Sequence, residues 1–583
     1  MRHHRPQTTQ QWRADLFDAA RRWAAEDPDP MTRAQLDDMV ERAQGEDASA
    51  QEATDLLGDC FAGLLEFGTA GLRGAMGPGP NRMNRAVVIR AAAGLTAYLA
   101  QHHPAPTVVV GYDARHGSQD FAVDTCAVVT AAGGTALLLP RPLPTPVLAY
   151  AIRHLGADAG VMVTASHNPP QDNGYKVYLG DGAQIVPPAD AEIRAQIVAL
   201  DSTAAIARAD QGWTVVDDSL IEQYLTAVTG ILTPGGPRDV RMVHTSLHGV
   251  GGEVIQRAFP LAGFPAPIAV AAQADPDPDF PTVAFPNPEE PGAIDAALDL
   301  ARELDAQAER SGEGGPVDAV LANDPDADRC AVAVPDPTAA SPENPRGWRM
   351  LRGDELGCLL ATHLIDQGVP AGGVLARSIV SSRMLATIAA DAGLGSTETL
   401  TGFKWISRAP NLAYGYEEAL GYCVAPSLVR DKDGISAALV FAEFLASCRI
   451  QGRSVIDVLQ SLYRRHGVYA TDAFSVRVTD LSLIDAAMTR LRENPPTHVG
   501  DVPVASWDDL AAGSEDLPPT DGLRYYLGDD TRVIVRPSGT EPKLKVYLEA
   551  IVPVEGELAD ATAEAARRLA GARAAFEELT AAP

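Results

Sequence analysis

The chain has 583 residues and carries 47 lysines and arginines against 77 aspartates and glutamates, a formal net charge of -30, which gives room for about four domains under an acidic surface. That charge excludes nucleic acid and anionic membranes as general partners, so an anionic ligand needs a local positive exception. The six cysteines are scattered with no C-x-x-C pair, which gives no zinc signature and suits a reducing, cytoplasmic setting.

At the N-terminus, MRHHRPQTTQQWRADLFDAARRW has no apolar h-region, so no signal peptide is expected, and with no apolar run of about 18 residues no spanning helix is expected. Residues 10–65 place apolar side chains at helical spacing, as in TRAQLDDMVERA, and predict an N-terminal helical extension. From about 86 the pattern becomes apolar strand, loop and helix (TVVVGYDARHGSQDFAVDTCAVVTAAGGTALLLP, then GVMVTASHNPP), which predicts an α/β domain with a mostly parallel sheet. A Pro/Gly-rich break near 235 precedes a second such unit, DVRMVHTSLHGVGG to VDAVLANDPDADR. Another break at 335–347 precedes a third, with GGVLARSIVSS, TGFKWI and GYEEALGY. Near 466 the pattern turns to alternating strands closed by an Ala-rich helix over 556–580, an α+β end.

Only five basic residues are lysine: Lys176, Lys404, Lys432, Lys543 and Lys545. In a chain that otherwise uses arginine, lysine is expected to persist where a compact, rotatable ammonium is needed. All five fall in or beside Gly-, Asp- or Ser/Thr-rich loops, so they point to candidate sites.

Four loops carry chemistry. In LANDPDADRC an apolar strand runs into Asp324, Asp326 and Asp328, with Arg329 next. Three carboxylates on a tight loop repel one another unless a hard cation such as Mg²⁺ or Ca²⁺ neutralises them. The spacing excludes an EF-hand, whose glycine and final glutamate would fall on Arg329 and Pro335. A phosphatase with an aspartate nucleophile on Asp324 is a rival reading. In VRPSGTEPKLKVY, the residues Arg536, Ser538, Gly539, Thr540 and Lys543 offer hydroxyls, N–H groups and charge between two strands, suited to a phosphate dianion. In GYEEALGY, Glu417 and Glu418 suit sugar hydroxyls, and Lys432 follows in DKDG. FGTAGLRG puts Arg73 on a Gly-rich loop ahead of a helix. His248 in SLHGVGG and Lys404 in TGFKWI are further candidate substrate contacts. Ser166 in TASHNPPQDNGYKVY lacks the G-x-S-x-G frame of a hydrolase nucleophile. A phosphorylated Ser166 would supply the oxygen that three carboxylates leave missing from a metal shell.

TASHNPPQDNGYK, NDPDADR, GYEEALGY and RPSGTEPK together closely resemble the four signature loops of the α-D-phosphohexomutase superfamily, in order, over roughly residues 60–550. The resemblance implies three related α/β domains and a C-terminal α+β domain around a central cleft. The expected divisions are 61–235, 236–345, 346–465 and 466–583, after a helical extension over 1–60. It implies Ser166 as the phosphoserine, with His167 and Lys176 beside it. Asp324, Asp326 and Asp328 then hold Mg²⁺ together with the Ser166 phosphate, and Arg73 and Arg329 face the transferring phosphoryl group. Glu418 reads the sugar, Lys432 faces substrate, and Arg536, Ser538, Gly539, Thr540 and Lys543 hold the second phosphate. The implied activity is interconversion of glucose 1-phosphate and glucose 6-phosphate with glucose 1,6-bisphosphate as intermediate and activator, by a monomer or homodimer. Mannose or pentose phosphates are the alternatives, because Leu420 and Tyr422 stand where one bacterial branch carries Ser and His.

Overall fold

The computed structural model describes residues 9–68, 71–478, 482–515, 517–538 and 543–581. These fall into two units: residues up to Gly230 with Met242–Cys330 and Ser427–Ile435, and Ile231–Arg241 with Ala331–Pro426 and Ser436 onward.

The first unit opens with helices Thr9–Glu26, Pro30–Ala43 and Ala48–Cys60. Asp29 and Asp47 cap the second and third, each accepting from a backbone N–H of the first turn. Their apolar stripes meet in a small core of Leu16, Ala20, Leu36, Val40 and Leu57, as the helical spacing predicts. A six-stranded sheet follows, in the order Gly71–Ala75, Asp172–Leu179, Ala159–Val163, Thr107–Tyr112, Thr135–Leu138, Thr214–Val215. The last four strands run parallel, Asp172–Leu179 runs against them, and Gly71–Ala75 pairs antiparallel with Asp172–Leu179. All five residues of Ala159–Val163 are buried, as a strand covered on both faces requires, and each buried valine contributes about 1.5–3 kcal/mol. Three shorter parallel strands, Met242–Thr245, Ile268–Ala269 and Ala319–Ala322, form the second α/β layer.

Arg73 departs from expectation. It lies on the strand Gly71–Ala75, paired with Gly174, and the next helix begins only at Arg85. The glycines that suggested a loop serve close strand packing instead: a Cβ at Gly71 would sit 1.8 Å from the Tyr175 carbonyl oxygen.

In the second unit, Gly395–Thr399, Val374–Ser378 and Leu412–Glu417 run parallel, and Gly421–Cys423 folds back antiparallel on the last. The C-terminal part is a six-stranded sheet, Val468–Arg477, Lys543–Val552, Thr531–Pro537, Leu523–Leu527, Val502–Asp509 and His498–Val499, antiparallel throughout. The expected Ala-rich helix, Leu558–Thr580, covers it, together with a helix not anticipated, Ser482–Glu493. Among the described residues no single helix is long and apolar enough to cross a membrane.

Candidate active site

The strand Ala319–Ala322 delivers Asp324, Asp326 and Asp328 into a loop where all three are fully buried. The loop is built by short-range bonds. Ala327, at φ 51°, donates its N–H to Asp324 O at 2.8 Å, and the Arg329 N–H donates to Asp324 Oδ1 at 3.0 Å. Asn323 Nδ2 donates to Arg329 O at 2.6 Å, so its Oδ1 is the acceptor for His244 Nε2 at 2.9 Å. Burial pushes His244 down to about 4, which keeps its ring neutral in that role. Gly434 permits the neighbouring chain to approach, since a Cβ there would lie 2.3 Å from Arg329 O.

Three carboxylates without water demand cations. Lys176 Nζ donates to Asp326 Oδ2 at 2.7 Å and Asp328 Oδ2 at 2.8 Å, and Lys432 Nζ lies 3.1 Å from Asp328 Oδ2. Thr145 Oγ1 adds a hydrogen bond to Asp326 Oδ2 at 2.6 Å. Burial raises Asp324 well above the usual carboxylate range, helped by Asp326 and Asp328 and only partly opposed by Arg329. At Asp326 burial acts the same way, but Lys176 outweighs it and holds the carboxyl below its ordinary value. Burial likewise opposes the Lys176 charge, which Asp326 and Asp328 more than restore.

The trio fits a hard divalent cation. One ligand atom from each aspartate lies within 4.8 Å of the others. Oδ1 of Asp326 and Oδ1 of Asp328 are buried and accept no hydrogen bond among the described residues. A buried carboxylate oxygen without a donor is costly, and a cation removes that cost.

Ser166 follows the strand Ala159–Val163 in the left-handed region, φ 53°. Its Oγ donates to Asp324 Oδ2 at 2.8 Å, with His167 Nδ1 3.4 Å away. Thr164 Oγ1 accepts the Ser166 N–H at 2.8 Å. The sequence reading missed the residue that fixes this loop, Arg115. Its Nη2 donates to Ser166 O at 2.7 Å and to Asn168 O, and its Nη1 donates to Pro169 O at 2.9 Å and Asp172 O at 3.2 Å. Asp113 pairs with its Nε at 3.3 Å, and its guanidinium lies 4.9 Å from the Phe280 ring centre. The available signal was GYDARHG, an arginine two residues past an aspartate at a strand end. Arg73 Nη1 donates to Asn168 Oδ1 at 3.2 Å, on the same loop. Arg329 Nε is 3.8 Å from Asp324 Oδ2. Lys432 is aimed by its neighbours: Tyr178 OH donates to Asp431 at 2.8 Å and Tyr224 OH to Asp433 at 3.0 Å. Ser166, His167, Lys176, Arg73, Arg329, Lys432 and the aspartates therefore share one neighbourhood. His248 Nε2 is engaged with Thr282 Oγ1 at 2.8 Å, and among the described residues no hydrogen bond or ion pair joins its ring to the three aspartates.

In the second unit the two glutamates of GYEEALGY separate. Glu417 ends a strand and accepts the Gly402 N–H at Oε1, 2.6 Å away, beside Lys404, whose Nζ lies 5.9 Å from the Trp405 ring centre. Glu418 sits in the hairpin turn, half-buried, with Oε2 accepting from Ser378 Oγ at 3.1 Å and Ser381 Oγ at 2.9 Å. Arg536 is on the strand Thr531–Pro537, opposite Lys545, and the neck of its loop is closed by Ser538 N–H to Lys543 O at 2.9 Å. Gly539 and Thr540 lie outside the described residues.

Four family models match in order. Domains I, II and III of phosphoglucomutase/phosphomannomutase match residues 64–204, 222–337 and 352–466, and the C-terminal domain matches 475–570. A protein named "Probable phosphomannomutase" from Haemophilus influenzae is 46% identical over 80% of this chain and 93% of its own. A Mus musculus phosphopentomutase is 33% identical over 93% and 91%, and a Staphylococcus epidermidis phosphoglucomutase is 32% identical over 83% and 90%. A solved phosphoglucomutase/phosphomannomutase family protein of Burkholderia thailandensis shares the fold, with TM-score 0.65 and 21% identity over 89% of this chain and 98% of that one. The chain belongs to the α-D-phosphohexomutase superfamily and is a mutase, an intramolecular phosphotransferase acting on phosphosugars.

Proposed function

We propose that the enzyme is a phosphoglucomutase, converting glucose 1-phosphate and glucose 6-phosphate through a phosphoserine at Ser166 and a glucose 1,6-bisphosphate intermediate. The observation that carries this reading is the Ser166 Oγ at 2.8 Å from Asp324, inside an aspartate trio with two donorless oxygens. Asp324, Asp326 and Asp328 would hold Mg²⁺ with a Ser166 phosphate oxygen, and the cation supplies charge neutralisation to the transferring phosphoryl group.

The remaining work belongs to the chain. Arg115 holds the backbone of residues 166–172, so the serine oxygen keeps its place as charge moves. Lys176 and Lys432 place ammonium groups against Asp326 and Asp328, and Arg329 and Arg73 supply fixed positive charge near the same loop. Phospho-Ser166 gives its phosphoryl group to one sugar hydroxyl; the bisphosphate turns end for end, and the freed Ser166 hydroxyl takes the other phosphate back. His167 or Lys176 moves the hydroxyl proton. Glu418 accepts from sugar hydroxyls, Glu417, Lys404 and His248 are secondary contacts, and Arg536, Ser538, Gly539, Thr540 and Lys543 hold the phosphate that is not moving. The five-part division at 60, 235, 345 and 465 belongs to this reading, supported by the end of the helical extension near 60 and by a change of sheet near 235 and 465. At 345 the strand Trp348–Met350 still pairs with Ala331–Pro335, so the second sheet runs past that boundary. A cytoplasmic location and a monomer or homodimer belong to the same reading.

Mannose or pentose phosphate is the second reading, favoured by the names of the relatives. The aspartate-nucleophile phosphatase loses support, because Asp324 is engaged by Ser166 and the Arg329 N–H. Intact-mass spectrometry should find a phosphate on Ser166 that is absent from Ser166→Ala. An assay over glucose, mannose, ribose and glucosamine phosphates with Mg²⁺ and glucose 1,6-bisphosphate should show glucose turned over fastest. Full turnover by Ser166→Ala would sink the mechanism, and a faster mannose or ribose reaction would replace the substrate.

A further inference from the structure

The turn after the strand Val374–Ser378 is gripped from two sides. On one side Ser378 Oγ and Ser381 Oγ both donate to Glu418 Oε2, and Ser381 Oγ accepts the Glu418 N–H at 3.1 Å. Among the described residues nothing donates to Glu418 Oε1. The two serines thus fix one carboxylate oxygen and leave the other to accept from a ligand.

On the other side stands a buried ion pair of the C-terminal sheet. Arg532 on Thr531–Pro537 and Glu549 on Lys543–Val552 are register partners, 2% and 1% exposed, with Arg532 Nη2 3.3 Å from Glu549 Oε2. Arg532 Nη1 donates to Ile379 O at 2.9 Å and Nη2 to Ser381 O at 2.8 Å. Glu549 Oε1 accepts Ser382 Oγ and the Arg383 N–H, both at 2.8 Å, and Oε2 accepts Arg383 Nε at 2.6 Å. Isolated strand pairs do not need a buried Arg–Glu pair, and desolvating one is costly unless further contacts offset it. Here nearly every bond the pair makes outside itself goes to the turn 379–383. Arg532 and Arg536 alternate onto the same face of one strand, so the strand that grips the turn runs directly into the phosphate-loop arginine.

We propose that Arg532 is a positioning residue for Glu418: it sets the backbone of Ser381, whose hydroxyl orients the carboxylate, and so couples the Arg536 strand to sugar recognition. The inference rests on the reading of Glu418 as the sugar-binding carboxylate. A staple that merely holds the sheet to the turn would affect stability alone; a relay affects recognition through Glu418 and nowhere else.

The test is a double-mutant cycle of Arg532→Lys and Glu418→Gln in the full-length enzyme, with glucose 1-phosphate, mannose 1-phosphate and ribose 5-phosphate as probes. Lysine keeps the charge beside Glu549 but reaches at most one of the two carbonyls in the fork geometry. Arg532→Lys should raise KM for the preferred sugar about tenfold, as expected for losing the orientation of a charged hydrogen bond, with kcat changed less. The extent of Ser166 phosphorylation at saturating glucose 1,6-bisphosphate should be unchanged in mass spectrometry. Glu418→Gln should raise KM comparably, and the double variant should be no worse than Glu418→Gln alone. If Arg532→Lys fails to fold, Ser381→Ala leaves the Arg532–Glu549 pair intact and should give the same KM rise and the same non-additivity. Additive effects, or a lowered melting temperature with KM untouched, overturn the relay. An unchanged KM in Glu418→Gln removes the sugar-reading role itself, and the relay with it.

Discussion

The Ser166–aspartate neighbourhood and the Glu418 and Arg536 loops solve opposite problems. In the first, Ser166 and the three aspartates are almost wholly buried, and four of the six carboxylate oxygens have a named donor while Oδ1 of Asp326 and Oδ1 of Asp328 are left for a cation. In the second, Glu418, Arg536, Ser538 and Lys543 are only half-buried, and the order is imposed at the base: two serines under one carboxylate oxygen, one backbone bond across the neck of a loop. Moving a phosphoryl group needs fixed charge, whereas holding a phosphosugar in two successive orientations needs contacts that tolerate both. On the proposed reading, rigidity is concentrated where bonds break.

That contrast predicts a gradient of mutational effects. The largest belongs to Asp328→Asn, which on the proposed reading weakens a cation ligand and takes one of two carboxylate partners from each of Lys176 and Lys432; turnover should fall at least about 1,000-fold, with weaker Mg²⁺ binding by calorimetry. Only a small loss would mean that the trio does not hold the metal. Lys176→Arg should lose about 100-fold in kcat despite conserving charge, because a planar fork replaces a compact ammonium at 2.7 and 2.8 Å from two carboxylates. Wild-type rates would reduce the lysine's persistence to chance. Arg115→Ala strips a buried partner from four carbonyls and should cost about 3 kcal/mol of stability and lower kcat, with free guanidinium restoring part of the rate. In the recognition region Glu418→Gln should shift KM about tenfold and leave Ser166 phosphorylation intact.

The smallest change in turnover is expected from Asp354→Asn, read out as stability. Asp354 is buried beneath the Glu418 turn and accepts from Ser382 N–H at 2.6 Å and Tyr416 OH at 2.8 Å. Burial, with the Glu418 charge adding to it, raises its pKa to about 7. Because the folded value lies above the unfolded one, folding takes up a proton between pH 4 and 7. The contribution is fully present below about pH 4 and lost as pH rises through 7, on the order of a few kcal/mol in all. Asparagine should flatten the fall in melting temperature between pH 5 and 8; an unchanged slope would place the titration elsewhere.

What the sequence made legible was chemistry concentrated in short runs. Asp324, Asp326 and Asp328 announce themselves because adjacent like charges need an explanation, and Lys176 and Lys432 because lysine is scarce. Both lysines end on the aspartates. The strand-and-helix alternation likewise carried the α/β plan. Thr145, Ser378 and Ser381 were invisible for a common reason: each works by contacting one distant carboxylate, which leaves no local pattern, while Arg115, which works on backbone carbonyls, left only the short signal GYDARHG. Arg73 was misplaced because glycines that serve close strand contact look the same in sequence as glycines that serve a loop. Glu417 and Glu418, told apart in the sequence only by the family resemblance, diverge because one ends a strand and its neighbour enters the turn.

The grip of Arg115 on four carbonyls has a consequence for anyone transplanting this loop. Residues 164–178 are not a portable cassette, because their shape is written partly in a guanidinium some fifty residues upstream and in the Asp113 and Phe280 that seat it. A chimera that moves TASHNPPQDNGYKVY into another scaffold would carry the serine and lose its posture. The unit of inheritance here is the pair, DAR together with ASHNPP, and the two would have to travel together.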